Sequence, residues 1–389
     1  MNRILAIALL AIPAAAFAQQ KPPIAQYWMN VETSSGMSIP GMSGGMSGMM
    51  GGGQQQSGRK LSLHLGSQRP ADAPNAVHDI PAGMSMGPSL PLLTPRGAEP
   101  RQTTERERHE NMERPKGRML IYWGCGEATR AGQPVVIDFA RGGQMPNMVG
   151  RNVAGGGPVS NRTSGLWPNQ QDSKNVPDSA SLMGEHTIRG NYTPDIRFAL
   201  GAGQDFMERV DLNTAVRGSG AVAVRWNAPS TATGYFATAM GGDGNDMVMW
   251  SSSDVQEIGG GLMDYIAPGE VARLIREKVV MPAQTTECVV PAEVSKRAQM
   301  FSFIAYGPEA NFGFPPRPQD PQWYAKVRFK STASTFLGET GGSGSRTQRA
   351  SPSAPAGAPS GDQSAQPSAP AAPDPVKDGI NILRGIFGR

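Results

Sequence analysis

AVAVRWNAPSTATGYFATAMGGDGNDMVMWS, residues 221–251, decides the fold class. Residues 221–226, 234–240 and 247–251 are three short apolar runs, separated by a Pro-bearing turn and by a Gly-Asp-Gly-Asn turn. Runs of this length, rich in β-branched and aromatic residues and bounded by turn formers, predict strands. The same reading extends outward to residues 196–200, 300–306 and 323–329, and upstream to 119–124 and 135–139. Near the N-terminus, Tyr27, Met29 and Val31 alternate with Trp28, Asn30 and Glu32, and Leu61, Leu63 and Leu65 alternate with Ser62 and His64. These are two half-buried strands, expected to form a hairpin around a long Met/Gly-rich loop at 36–57. Residues 270–278 alone have clear helical character, with Val271, Leu274 and Ile275 on one face. Many short strands with Gly, Pro and Asn punctuation predict a mainly β chain built as a sandwich.

The first eighteen residues read as an address. Arg3 supplies a positive start, residues 4–16 are apolar, and Ala16-Phe17-Ala18 offers a small-residue cleavage site before Gln19. This predicts a Sec-type signal peptide over 1–18, the apolar run being too short for a stable span. No cysteine follows it, so no lipoprotein anchor is expected, and the mature chain is placed in the periplasm or secreted.

Only 38% of the 389 residues are hydrophobic, while 49 Gly and 34 Pro predict long irregular stretches beside the folded part. The net charge of +4 is spread among acids rather than massed, which argues against nucleic-acid binding. Past the signal, the expected order is an N-terminal β region over 19–140, an irregular loop over 141–183 and a C-terminal β-sandwich region over 184–337. Residues 69–95, rich in proline, read as extended coil, and 142–178 as an excursion from the sheet. A Pro/Ala/Ser segment at 338–375 predicts a disordered linker. In 376–389, Val376, Ile380, Leu383, Ile386 and Phe387 fall at helical spacing among Lys377, Arg384 and Arg389. A short amphipathic C-terminal helix is expected there, marginal when alone because of its glycines.

Four features bear on chemistry. Cys125 and Cys288 make an even pair, which in an oxidising compartment predicts a disulfide; two buried thiols are the alternative. Met37, Met42, Met46, Met49 and Met50, with Met84 and Met86 further on, offer soft thioethers suited to Cu(I), and His64 and His78 offer imidazoles. Met42, Met46 and Met49 are the copper candidates, against a plain low-complexity loop. Enzymatic signatures are scarce: His109-Glu110 and Glu185-His186 lack the second histidine of a zinc helix, and Ser219 lacks a nucleophile-elbow context. Asp243, Asp246, Asp254 and Glu257 are acids of the kind polar turns supply, so no enzyme is expected.

Two resemblances add to this. Residues 241–249, Gly-Gly-Asp-Gly-Asn-Asp-Met-Val-Met, resemble the calcium-binding nonapeptide of RTX proteins, which makes Asp243 and Asp246 candidate calcium ligands. The tandem copies that complete each site in that family are missing. Trp226-Asn227-Ala228-Pro229 followed by Gly234-Tyr235 resembles the B and C strands of a fibronectin type III domain over about residues 220–270. That likeness implies an immunoglobulin/fibronectin-like sandwich with Trp226 in its core. Ile266-Ala267-Pro268 sits where the family has its Leu-x-Pro signature, but Ala272 replaces the tyrosine that should follow. In general style the chain is similar to uncharacterised exported proteins of Gram-negative bacteria.

The expected function is that of an exported, non-enzymatic binding or scaffolding protein of the cell envelope. It would dock an envelope protein through loops, with Trp167 as a contact residue, or through the tip residues Ile380, Leu383, Ile386 and Phe387. Fold-back of the tip over an exposed sheet edge is weighed equally with docking, and peripheral membrane contact by the tip is a weaker option. No cofactor is expected. Cu(I) handling by the Met loop and a hydrolase of unknown type are the rival readings.

Overall fold

A computed structural model of the protein describes residues 22–36, 58–95, 117–139 and 161–337, the last without 245, 258, 260 and 316–320. Its largest element is one sheet whose strands run in the order β6 (Val135–Asp138), β5 (Arg118–Trp123), β13 (Asp246–Ser251), β12 (Gly234–Asp243), β16 (Met300–Phe314), β17 (Trp323–Phe336), β1 (Ala25–Gly36), β2 (Gly58–Ser67) and β7 (Thr163–Trp167). A short strand, β14 (Met281–Pro282), pairs with the start of β12. A four-stranded sheet runs β4 (Ser89–Leu92), β3 (Ala76–Asp79), β8 (Gly184–Gly190), β9 (Ile196–Leu200), and a three-stranded sheet runs β10 (Leu212–Val216), β11 (Val222–Trp226), β15 (Glu287–Val290). The protein is mainly β, and two α-helices occur among the described residues, α1 (Pro268–Arg276) and α2 (Ala292–Ser295).

The period-2 patterns set the faces. Tyr27, Met29 and Val31 of β1 and Leu63 and Leu65 of β2 are fully buried on the inner face of the large sheet, as their alternation predicts. They share a core with Phe301 and Phe303 of β16, with Ile188, Ile196 and Phe198 of the four-stranded sheet, and with Val224 and Trp226 of the three-stranded one. Two small sheets therefore cover one face of the large one, a sandwich-like layering. Burying each such side chain stabilises the fold by roughly 1.5–3 kcal/mol before entropy is counted.

On the outer face, α1 seats Val271 and Leu274 against Phe236 and Ile304. Pro268 begins this helix and Glu270 lies in its first turn, both suited to a helix N-terminus. Arg273 then ties Glu270 to Glu277 along the solvent side.

The expected hairpin is present, β1 pairing antiparallel with β2 from Ala25↔Ser67 to Ser34↔Gly58. The other edge of β1 pairs parallel with β17, from Ala25↔Trp323 to Gly36↔Ser334. The N-terminal β region and the C-terminal sandwich region thus share one sheet.

Two stretches without readable periodicity contain strands. Residues 69–95 carry β3 and β4, and the excursion carries β7 at an edge of the large sheet. Each is only four or five residues long, too short for a pattern, and its backbone pairing comes from distant partners such as β8 and β2.

Cys125, just past β5, is bridged to Cys288 on β15 with a Cα–Cα distance of 5.3 Å. The bridge fastens the large sheet to the three-stranded one, and Gly126 N–H donates to Val289 O at 2.8 Å beside it.

Candidate ligand-binding face

The outer face of the large sheet is polar where its two terminal strands meet. β1 directs Trp28, Asn30 and Glu32 outward, and the parallel register sets them beside Lys326, Arg328 and Lys330 of β17. The antiparallel register on the other side sets them beside His64, Ser62 and Lys60 of β2. From β16, Glu309 lies opposite Arg328 and Asn311 opposite Lys326. Because every second residue of a strand shares a face, four strands present a grid of charged, amide and aromatic groups. The loop leading into α1 adds Asp264 and Tyr265 above it.

Lys330 is 2% exposed, yet it is well compensated. Its Nζ lies 3.4 Å from Glu32 and 3.5 Å from Asp264, and 4.4 Å from the centre of the Tyr265 ring. Burial pushes the Glu32 carboxyl up. Lys330 and Lys60, with hydrogen bonds from Thr332 and Lys330, outweigh this and hold it below its usual value. Burial, with Glu32 and Asp264 nearby, pushes the Tyr265 hydroxyl well above its usual value. Lys326 pairs with Glu309 at 2.7 Å and lies 5.2 Å from the centre of Trp28. Arg328 stacks on Trp28 at 4.5 Å and on Tyr265 at 4.8 Å, and its Nε donates to Asn30 Oδ1 at 2.8 Å. Burial lowers the pKa of His64 and favours a neutral imidazole here. Each carboxylate of the grid is thus paired with a lysine, Glu32 and Asp264 with Lys330 and Glu309 with Lys326.

A second polar array is sealed in the core. Leu182 O can only accept, so His186 Nε2, 2.7 Å away, donates to it. His186 Nδ1 then accepts from His78 Nε2 at 2.9 Å, and His78 Nδ1 accepts from the Tyr27 hydroxyl at 2.8 Å. The direction is fixed from one end, and burial favours the neutral form of Tyr27, His78 and His186. Phe198 stacks on His186, and Tyr27, His78 and His186 are all fully buried.

The residues singled out in the sequence fall in different places. Met84 and Met86 are buried in the core and His78 belongs to the relay, so they are not surface ligands; His64 lies on the outer face. Met37, Met42, Met46, Met49 and Met50 lie outside the described residues, as do His109 and the tip residues Ile380, Leu383, Ile386 and Phe387. Asp246 is held by two hydrogen bonds from Arg118, its Oδ1 at 3.0 Å from Nε, which keep its carboxyl below the usual range. Its partner across the hairpin is Asp243. Asp254 pairs with Arg130. Among the described residues no group of three His, Cys, Asp or Glu side chains is placed to hold a metal ion. Trp167, expected as an exposed contact, is 2% exposed: it lies on β7 and packs into the core, because its loop is here a strand.

The sequence reading missed the grid as a site. The alternation of Trp28, Asn30 and Glu32 was visible, and so were cations at 326, 328 and 330, but nothing local says that these rows are neighbours.

No protein family, curated protein or solved structure matches the chain.

Proposed function

We propose that this is an exported, non-enzymatic binding protein of the bacterial cell envelope whose recognition surface is the Trp28–Arg328 face. The observation that carries the reading is the grid itself, in which aromatic rings, amides and paired charges are fixed on a rigid sheet. Export is supported by the residues 1–18 pattern and by the Cys125–Cys288 bridge, which suits an oxidising compartment. No helix among the described residues is long and apolar enough to cross a membrane. Within this reading the 376–389 tip is a second element, docking an envelope protein at the end of its linker, with peripheral membrane contact as the weaker option. The immunoglobulin/fibronectin-like resemblance remains part of the proposal through Trp226 and Tyr235, whose rings meet at 5.5 Å in the core.

The test is co-sedimentation of the mature chain with isolated envelope polysaccharide and with envelope membranes. Trp28→Ala, with an unchanged melting temperature, is expected to lose at least tenfold in binding to one of them. Equal binding by wild type and variant would place recognition elsewhere.

A further inference from the structure

The grid holds four cations, Lys60, Lys326, Arg328 and Lys330, against three carboxylates, Glu32, Asp264 and Glu309. Lys60 and Lys330 share Glu32 at 3.6 and 3.4 Å, Lys330 also meets Asp264 at 3.5 Å, and Lys326 takes Glu309 at 2.7 Å. The uncompensated charge therefore falls on Arg328, which has no carboxylate within ion-pair distance among the described residues. Its surroundings are nonetheless built around it. Trp28 and Tyr265 stack on the guanidinium, and Asn30 fixes its Nε. What remains is the pair of terminal nitrogens, held in one orientation on a half-buried side chain. Burial lowers the pKa of this group, the mark of a desolvated charge whose nearby acids, Asp264 and Glu309, do not fully compensate it.

We infer that Arg328 is the anion-reading group of this face and that the anion is the carboxylate of an acidic saccharide. This rests on the binding role proposed above. A guanidinium fork takes two coplanar oxygens through parallel hydrogen bonds, which a carboxylate supplies. One uncompensated positive charge calls for a monoanion; a dianionic phosphate would meet Glu32, Asp264 and Glu309 with no further cation to balance it. Around the fork stand neutral hydrogen-bonding groups. Ser62 offers its hydroxyl, Asn30 its amide NH2 because its Oδ1 already accepts from Arg328, and Asn311 its amide oxygen because its Nδ2 donates to Glu309. Such donors and acceptors beside Trp28 match the hydroxyls of a sugar ring that carries the carboxylate.

The test is calorimetric titration of the mature chain with a galacturonate trimer, a neutral galactose trimer, a glutamate-rich peptide and inorganic phosphate. The galacturonate trimer is expected to bind at least tenfold more tightly than the other three. Arg328→Lys, which keeps the charge and loses the fork, is expected to weaken it tenfold or more with the melting temperature unchanged. Absence of galacturonate binding, an unaffected Arg328→Lys variant, or a preference for phosphate or peptide would each overturn the assignment. The two readings fail separately. If envelope binding depends on Trp28 while Arg328→Lys changes nothing, the anion assignment alone is lost; if Trp28→Ala binds like wild type, the face is lost.

Discussion

His78 donates through Nε2 to Nδ1 of His186 across 2.9 Å, with both rings fully buried between the large sheet and the four-stranded sheet. Burial holds both imidazoles below their usual pKa; for His78 the neighbouring His186 adds to this, while at His186 the Leu182 carbonyl and Glu185 partly oppose it. The facing groups are Tyr27, hydrogen-bonded to His78, and Phe198, which stacks on His186. In the unfolded chain both histidines titrate near pH 6.5, at the ordinary value. Below that pH the unfolded state takes up protons that the folded state refuses, so stability is full above about pH 6.5 and falls as the pH drops. Two such groups lose at most about 4 kcal/mol between pH 7 and pH 5. Denaturant midpoints across this range measure the slope, which the His78→Gln/His186→Gln double variant is expected to flatten. Equal slopes would remove the relay from the acid response.

The Cys125–Cys288 bridge closes a separation of 163 residues. In the chain-entropy argument such a loop contributes about 5 kcal/mol by restricting the unfolded chain. Cys125→Ser/Cys288→Ser is expected to lower the urea midpoint accordingly, and a reductant is expected to leave the variant unchanged while destabilising the wild type. A reductant that leaves the wild type unmoved would contradict this.

Glu32 and Lys330 form a buried ion pair with Asp264 as a second acid. Removing one partner strands a buried charge, so Glu32→Ala is expected to cost about 3 kcal/mol, the low end for such a break because Asp264 remains. Glu32→Ala/Lys330→Met removes both charges and is expected to recover most of that loss. A double-mutant cycle by chemical denaturation measures it, and simple additivity of Glu32→Ala and Lys330→Met would deny the coupling.

Trp226 packs against Tyr235 at 5.5 Å and Phe303 at 4.6 Å between ring centres, where two sheets meet. Trp226→Ala is expected to cost about 3–5 kcal/mol through the cavity it leaves. The indole N–H has no hydrogen-bond partner among the described residues, so Trp226→Phe forfeits volume but no hydrogen bond and is expected to cost clearly less. Similar losses for the two variants would mean that the indole nitrogen has a role of its own.

Much of the inner architecture was legible because its signal is local. Tyr27, Met29 and Val31 had to face one way and Trp28, Asn30 and Glu32 the other, whatever the partner strand. Helix α1 was legible for the same reason, through Val271 and Leu274 on one face. The strand at Thr163–Trp167 was not, since five residues with a glycine at their centre carry no pattern, and Trp167 was misplaced with it.

The sequence by itself therefore determined that the chain is mainly β, which face each long strand buries, that the first hairpin closes on 36–57, and that two cysteines stood ready to pair. Only the tertiary structure decided which strands are neighbours. The pairing of β1 with β17 joins residues 298 apart, Trp28↔Lys326 and Asn30↔Arg328, and so creates the polar face proposed for binding. The pairing of β3 with β8 likewise brings His78 within hydrogen-bonding reach of His186. A strand's alternation is fixed by its own backbone geometry, whereas its partner is fixed by how the whole set of apolar faces can be covered at once.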